Sequence, residues 1–272
     1  MKTDIPFLLP VLLALTCGSL RAVDIVAHRG ASHDAPENTL VAERLAWEQG
    51  ADAVELDIHL SKDGQLPVLH DFNVNRITGR DAVIKDLTLA ELRTLDAGAW
   101  KGPQFAGEKI PTLDEMIALL PPGRRLLVEI KPGPEIVPEL ARCLARHGLS
   151  EKNVTIISFN YESLQQVRQT LPHLPTLYLV GYKAPDPKTP AADEPPTVDA
   201  MVAKAKAARL TGLDLKHTWP LEAADVKKIK DAGLQLHVWT VDDVAIAKRW
   251  IELGTASITT NRPGWLREQL AK

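Results

Sequence analysis

The chain has 272 residues, 45% of them apolar and 25% charged, a balance that excludes a disordered chain, a collagen-like repeat and a multi-span membrane protein. With 32 basic against 35 acidic side chains the formal net charge is −3, so nothing draws in a polyanion and no nucleic-acid partner is expected. The two cysteines, Cys17 and Cys143, can build neither a disulfide framework nor a cysteine metal cluster.

Residues 1–22 read apart from the rest. Lys2 precedes an apolar run from Phe7 to Leu15, and small residues Thr16 to Ser19 follow, the layout of a secretory signal. The run falls short of the ~20 residues that span a bilayer. The expectation is a removed signal, a mature chain of residues 23–272 that is secreted or periplasmic, and no stable membrane span. An uncleaved membrane anchor is the second reading.

From Val23 onward short β-branched runs alternate with amphipathic ones. The first strand, 23–27, is followed by a helix over 39–49, and the second strand, 53–60, by a helix over 112–120. Strand 126–130 leads into helix 134–147, strand 154–159 into helix 160–170, and strand 176–180 into helix 197–208. Strand 210–215 precedes helix 220–232, strand 235–240 precedes helix 242–253, and strand 256–260 precedes a closing helix over 263–271. Thr112, Asn160 and Asp242 stand where helices start, and Gly50, Gly148, Gly233 and Gly254 where they stop. Eight strand–helix units predict parallel strands closed into a (β/α)₈ TIM barrel, a fold of roughly 250 residues.

Residues 53–70 break the alternation. Two strand-like runs are joined by Lys62-Asp63-Gly64-Gln65, too short for a parallel crossover, so the second strand is expected to fold back as an antiparallel hairpin. A turn centred between Asp63 and Gly64 sets His70 opposite Asp57. Residues 71–111 then form a small insertion on the active-site face, and 184–196, rich in proline, a second exposed loop.

In this fold the active site lies at the carboxyl ends of the strands. There the sequence places His28-Arg29-Gly30, then Glu55 and Asp57 on one face of the second strand, His70-Asp71 after the hairpin, Glu129 and Lys131, and Trp239. Glu55, Asp57 and Glu129 make an oxygen-ligand set, which favours a hard divalent cation, Mg²⁺ or Ca²⁺, over tetrahedral zinc; Mn²⁺ also accepts carboxylates. Two imidazoles with pKa near ~6.5 suit general acid and base duty, and Arg29 and Lys131 add charge that clamps an anion. Together these groups point to phosphoryl-ester hydrolysis. Structural readings stand beside them. The acids could simply pair with Arg29 and Lys131, Glu37 and Asn38 could line the site or cap the helix near Thr39, and Trp239 could stack on substrate or only pack. Trp47, Trp100, Trp219, Trp250 and Trp265 read as helix-face packing.

The ordered segments HRGASHDAPENT, ELDIHLSKDGQLPVLHD, DLTLAELRTLDAG, GEKIPTLDE, EIKP, SF and VWTVDD resemble those of the glycerophosphodiester phosphodiesterases, from His28 to Pro263. The resemblance implies a TIM barrel with an insertion after the His-Asp motif. It further implies one divalent cation on Glu55, Asp57 and Glu129, His28 and His70 as acid–base pair, and Arg29 and Lys131 on the phosphate. The implied activity is cleavage of a glycerophosphodiester to glycerol 3-phosphate and an alcohol. Two alternatives accompany it: a related barrel lyase that leaves a cyclic phosphate from lysophospholipid-type substrates, and an inactive binding barrel. One departure is the last strand, where Ala256-Ser257 stands in place of the family's Asp-Gly pair.

Overall fold

The computed structural model describes residues 23–184 and 194–272; the candidate signal 1–22 and most of the proline-rich stretch lie outside the described residues. Eight parallel strands close a barrel in chain order: β1 (Asp24–His28), β2 (Ala53–Ile58), β3 (Arg125–Ile130), β4 (Val154–Ser158), β5 (Thr176–Val180), β6 (Gly212–Lys216), β7 (Gln235–Trp239) and β8 (Ser257–Thr260). Helices α1 (Leu40–Glu48), α2 (Asn75–Thr78), α3 (Leu89–Leu92), α4 (Leu113–Ile117), α5 (Val137–Arg146), α6 (Tyr161–Thr170), α7 (Val198–Ala207), α8 (Ala223–Asp231), α9 (Val244–Leu253) and α10 (Pro263–Leu270) connect and cover them. Among the described residues no helix is long and apolar enough to cross a membrane.

The period-two alternation of a strand decides what each side chain does. Outward positions such as Val54, Leu56 and Ile58 of β2 belong to the same continuous core as Leu140, Leu144, Leu164 and Val167, the layer between sheet and helices. Each such fully buried side chain contributes roughly 1.5–3 kcal/mol. Inward positions Val26, Ala53, Leu127, Ile157, Leu177 and Leu179 fill the barrel with Trp239 packed against them. The register pairs His28 with Glu55, Asp57 with Glu129, Leu179 with Asp214, and Val26 with Thr259. Partners in a parallel ladder share a face, so the same parity that makes the interior brings the polar set to its upper end.

Local signals place most helix starts. Thr39 caps α1, Thr112 and Glu115 form a capping box on α4, and the Asn160 side chain accepts from Ser163 N on α6. The cap of α9 is Asp243 rather than Asp242: Asp242 is taken up by Thr260 and Asn261 after β8. Trp250 packs on a helix face, but Trp219 lies in the β6–α8 loop, its indole donating to Val180 O, and Trp100 is an exposed loop residue beside the barrel mouth.

The chain folds back after β2 as expected, but with a shifted register. His59 N donates to Pro67 O and Leu69 N to Asp57 O, so Ile58 faces Val68 and Asp57 faces Leu69, not His70. The turn is a three-residue loop closed by Ser61 N on Gln65 O, with Gly64 at φ +75°, and an odd loop moves the pairing by one residue. The insertion carries a small core of its own, Leu69, Val74, Ile77, Ile84, Leu87, Leu92, Ala97 and Ile110, which ties it to the returning strand.

Glu43 of α1 is fully buried, and among the described residues its carboxylate accepts one hydrogen bond, from Trp47 Nε1 at 3.3 Å. Burial pushes its carboxyl up to about 8. The native state therefore holds this proton more tightly than the unfolded chain, and stability falls as pH rises from about 4.5 to about 8. Glu43→Gln is expected to raise the melting temperature by several degrees at pH 8, with the gap closing toward pH 4.5; thermal melts across that range read it directly.

Candidate active site

The site begins where β1 ends. Arg29 and Gly30 both adopt left-handed backbone, at φ +55° and +80°. A Cβ on Gly30 would come within 2.8 Å of Ala42 on α1, so only glycine allows the loop to turn this tightly against the helix. The turn directs Arg29 N onto Glu55 Oε2 at 2.9 Å and its guanidinium toward Asp57 Oδ2 at 3.3 Å and Glu37 Oε1 at 2.9 Å. Asn38, also left-handed at φ +57°, donates Nδ2 to Asp57 Oδ2 at 2.8 Å. Glu37 and Asn38 thus line the site, and the cap belongs to Thr39.

Glu55, Asp57 and Glu129 converge with carboxylate oxygens all within 4.8 Å of one another, each residue buried. Among the described residues Glu55 Oε1 has no hydrogen-bond partner and Asp57 Oδ1 has none either, although Lys131 Nζ lies 3.3 Å away. Lys131 also donates to Glu129 Oε1 at 2.7 Å. Burial and the neighbouring acids push Glu55 well up and Glu129 up to about 8. Burial works the same way on Asp57, but Lys131, Arg29 and His70 outweigh it and hold that carboxyl below its ordinary range. Three buried acids facing two cations, with an oxygen of each within 4.8 Å of the others and two oxygens unpaired, fit a hard divalent cation.

Two imidazoles flank this cluster. His28 Nδ1 lies 2.7 Å from Asn261 Oδ1, and Asn261 gives its own Nδ2 to Asp242, which can only accept. The amide orientation is therefore set, Nδ1 of His28 carries the proton, and Nε2 is left free, 4.0 Å from Glu55 Oε2. Burial, assisted by Arg29, lowers His28 to about 4. His70 Nδ1 pairs with Asp71 Oδ1 at 2.6 Å, Asp71 is held by Arg76, and Arg76 reaches Glu37. Burial lowers His70 as well. His59 turns elsewhere, its Nε2 to His70 O and its ring edge-on to Phe72.

His28, Arg29, Glu55, His70, Glu129 and Trp239 line one cavity of about 180 Å³, with Asp57 beneath Arg29 and Lys131 on the neighbouring side. Trp239 donates Nε1 to Asp214 O at 3.1 Å and meets Phe159 edge-on. Arg76, Asn261, Asp214 and Thr259 belong to this environment and escape the sequence reading. Asp214 had a signal of the same kind as Glu55, an acid at an alternate position between two leucines in a strand; Arg76 had none.

A closed (β/α)₈ barrel whose upper end gathers three acids, two cations and two imidazoles is an enzyme-like barrel for a small anionic ligand. The model of the glycerophosphoryl diester phosphodiesterase family matches residues 28–265, and the chain belongs to that family. It is 37% identical over 248 residues to the glycerophosphodiester phosphodiesterase of Caldanaerobacter subterraneus subsp. tengcongensis, covering 88% of this chain and 94% of that one. Identity to the glycerophosphodiester phosphodiesterase of Bacillus subtilis (strain 168) is 35% over 277 residues, covering 94% of this chain and 90% of that one. Among solved structures, an Oleispira antarctica phosphodiesterase in complex with the product sn-glycerol-3-phosphate superposes with a TM-score of 0.81 at 30% identity, covering 92% of this chain and 97% of that one.

Proposed function

We propose that this chain hydrolyses glycerophosphodiesters to glycerol 3-phosphate and a free alcohol, with a divalent cation held by Glu55, Asp57 and Glu129. The observation that carries the reading is the pair of imidazoles, each fixed through Nδ1 by a separate partner, set around one buried carboxylate cluster. A bound cation supplies charge that polarises phosphorus and steadies the oxygens of the phosphoryl group. Arg29 and Lys131 orient the phosphate. One imidazole takes the proton of the attacking oxygen as it bonds to phosphorus; the other gives a proton to the alcohol oxygen as its bond to phosphorus breaks. Residues 1–22 support a further proposal, that the enzyme acts outside the cytoplasm after its signal is removed.

The test is release of glycerol 3-phosphate from glycerophosphocholine by residues 23–272, stripped by a chelator and then supplied with Mg²⁺, Ca²⁺ or Mn²⁺. Release restored by an ion is expected. Phosphorus NMR of the product separates hydrolysis from cyclic-phosphate formation. Folded protein that releases nothing with any ion would sink the reading.

A further inference from the structure

Among the described residues a second group of metal-ligating side chains lies between helices α4 and α5, apart from the carboxylate cluster. Cys143 and His147 stand four residues apart at the end of α5, where i and i+4 share one helix face, and His147 N closes that turn on Cys143 O at 3.3 Å. Asp114, in the first turn of α4, completes the group: one donor atom from each of the three residues lies within 4.8 Å of the other two. His147 Nε2 is 2.8 Å from Asp114 Oδ1. Cys143 is fully buried beneath the pair, while the Asp114 and His147 side chains, 40% and 29% exposed, open the group to solvent.

The donor set narrows the ion. A thiolate, an imidazole and a carboxylate are ligands of zinc and of ions of similar softness, whereas Mg²⁺ and Ca²⁺ take oxygens. A tetrahedral ion with bonds of about 2.0–2.3 Å holds its ligand atoms roughly 3.3–3.7 Å apart. Three atoms already within 4.8 Å of one another close on such an ion by small side-chain rotations, and water takes the fourth position from the exposed side. Cys143 is the one cysteine of residues 23–272, so no second thiol of that stretch draws it into a disulfide. Burial and the Asp114 carboxylate push its thiol up to about 12, which excludes a nucleophile at neutral pH. Ligation releases the thiol proton to solvent, and His147 binds through Nε2 with its proton on Nδ1. The competitor for Asp114 is Arg146, whose Nη2 lies 3.2 Å from both carboxylate oxygens while Nη1 reaches Glu139 Oε1. An exposed ion pair of this kind contributes little, so a metal displaces it readily.

We infer that Asp114, Cys143 and His147 form a second metal site, for zinc or an ion of similar softness, that staples α4 to α5 on the outside of the barrel. The chain then carries two sites of opposite character: oxygen ligands alone at the carboxyl ends of the strands, and a mixed sulfur, nitrogen and oxygen set on the helix layer. The second site ties together the connections on either side of β3, the strand that carries Glu129. None of its three residues lines the cavity at the barrel mouth, so it stands independently of the phosphodiesterase reading.

The experiment titrates residues 23–272, stripped by a chelator, with Co²⁺ as a spectroscopic probe and then with Zn²⁺. The expected result is a near-ultraviolet thiolate-to-cobalt band, which the oxygen ligands of the carboxylate cluster cannot give, and its bleaching as Zn²⁺ displaces Co²⁺. Cys143→Ala should abolish the band. His147→Ala and Asp114→Asn change partly exposed side chains and guard against loss of folding in Cys143→Ala. Each should weaken Co²⁺ binding, read at that band, by about tenfold or more, with far-ultraviolet circular dichroism as in the wild type. Arg146→Gln, which removes the competing cation, should tighten it by about threefold. No thiolate band at saturating Co²⁺, or a band that His147→Ala and Asp114→Asn leave unchanged, would overturn the site and leave a surface ion pair above a packed cysteine.

Discussion

His28→Ala and His70→Ala are each expected to lower kcat on a glycerophosphodiester by about 10² or more, with KM changed far less. The cavity offers no substitute for either ring. His59, the nearest other imidazole in the hairpin, commits Nε2 to His70 O and packs against Phe72, and it does not line the cavity. His28 is tied to Asn261 and His70 to Asp71, so each ring meets the reacting group in one tautomer and one orientation. Loss of either removes a positioned proton carrier and leaves the carboxylates and cations in place, which is why the loss falls on turnover rather than binding. Steady-state kinetics on the two variants decide the matter, and near wild-type turnover in either one refutes its assignment.

Much of this site was legible because a parallel barrel turns sequence parity into geometry. Once β2 is read as alternating, Glu55 and Asp57 must share a face, and the pairing of Asp57 with Glu129 follows from aligning two strands of a parallel sheet. His28, Lys131 and Trp239 needed only their position at strand ends. What parity does not encode is the course of the chain outside the strands. The hairpin register depended on whether its loop held an even or odd number of residues, and Ser61 closing on Gln65 settled that by local hydrogen bonds. The link from Arg76 in α2 through Glu37 to Arg29 joins residues 39 and 8 positions apart across two loops, and no periodicity announces it.

Polar residues in the strands tell a second lesson. Asp214 lies between Leu213 and Leu215 in the pattern that exposes Glu55, yet it has no partner acid on a neighbouring strand, since its registered neighbours are Leu179 and His237. A lone inward acid reads as an oddity; three on adjoining strands read as a ligand set. Asn261 was hidden differently. It follows β8 immediately, and its importance comes only from His28, 233 positions away.

The second large effect concerns the carboxylate cluster, where two accounts predict opposite signs. If Glu55, Asp57 and Glu129 hold a divalent cation, adding it to chelated protein should stabilise the fold by about 2.7 kcal/mol at a hundredfold excess over Kd. For a chain of this size that corresponds to a rise in melting temperature of roughly 5–10 °C. Asp57→Asn or Glu129→Gln should abolish both the rise and the turnover. The pKa directions add a test without metal. Glu55 and Glu129 are pushed up by burial and by neighbouring acids, Glu129 to about 8, so the metal-free fold loses stability as pH rises above the ordinary carboxylate range. Glu55→Gln in chelated protein should therefore melt at or above the wild type at pH 8, with the difference shrinking toward pH 5. Were the acids only counter-ions for Arg29 and Lys131, the same substitution would lower stability at every pH, and added ions would leave the melt where it was. Paired melts of wild type and Glu55→Gln, with chelator and with each ion, thus separate a ligand set from a buried ion-pair network without reference to catalysis.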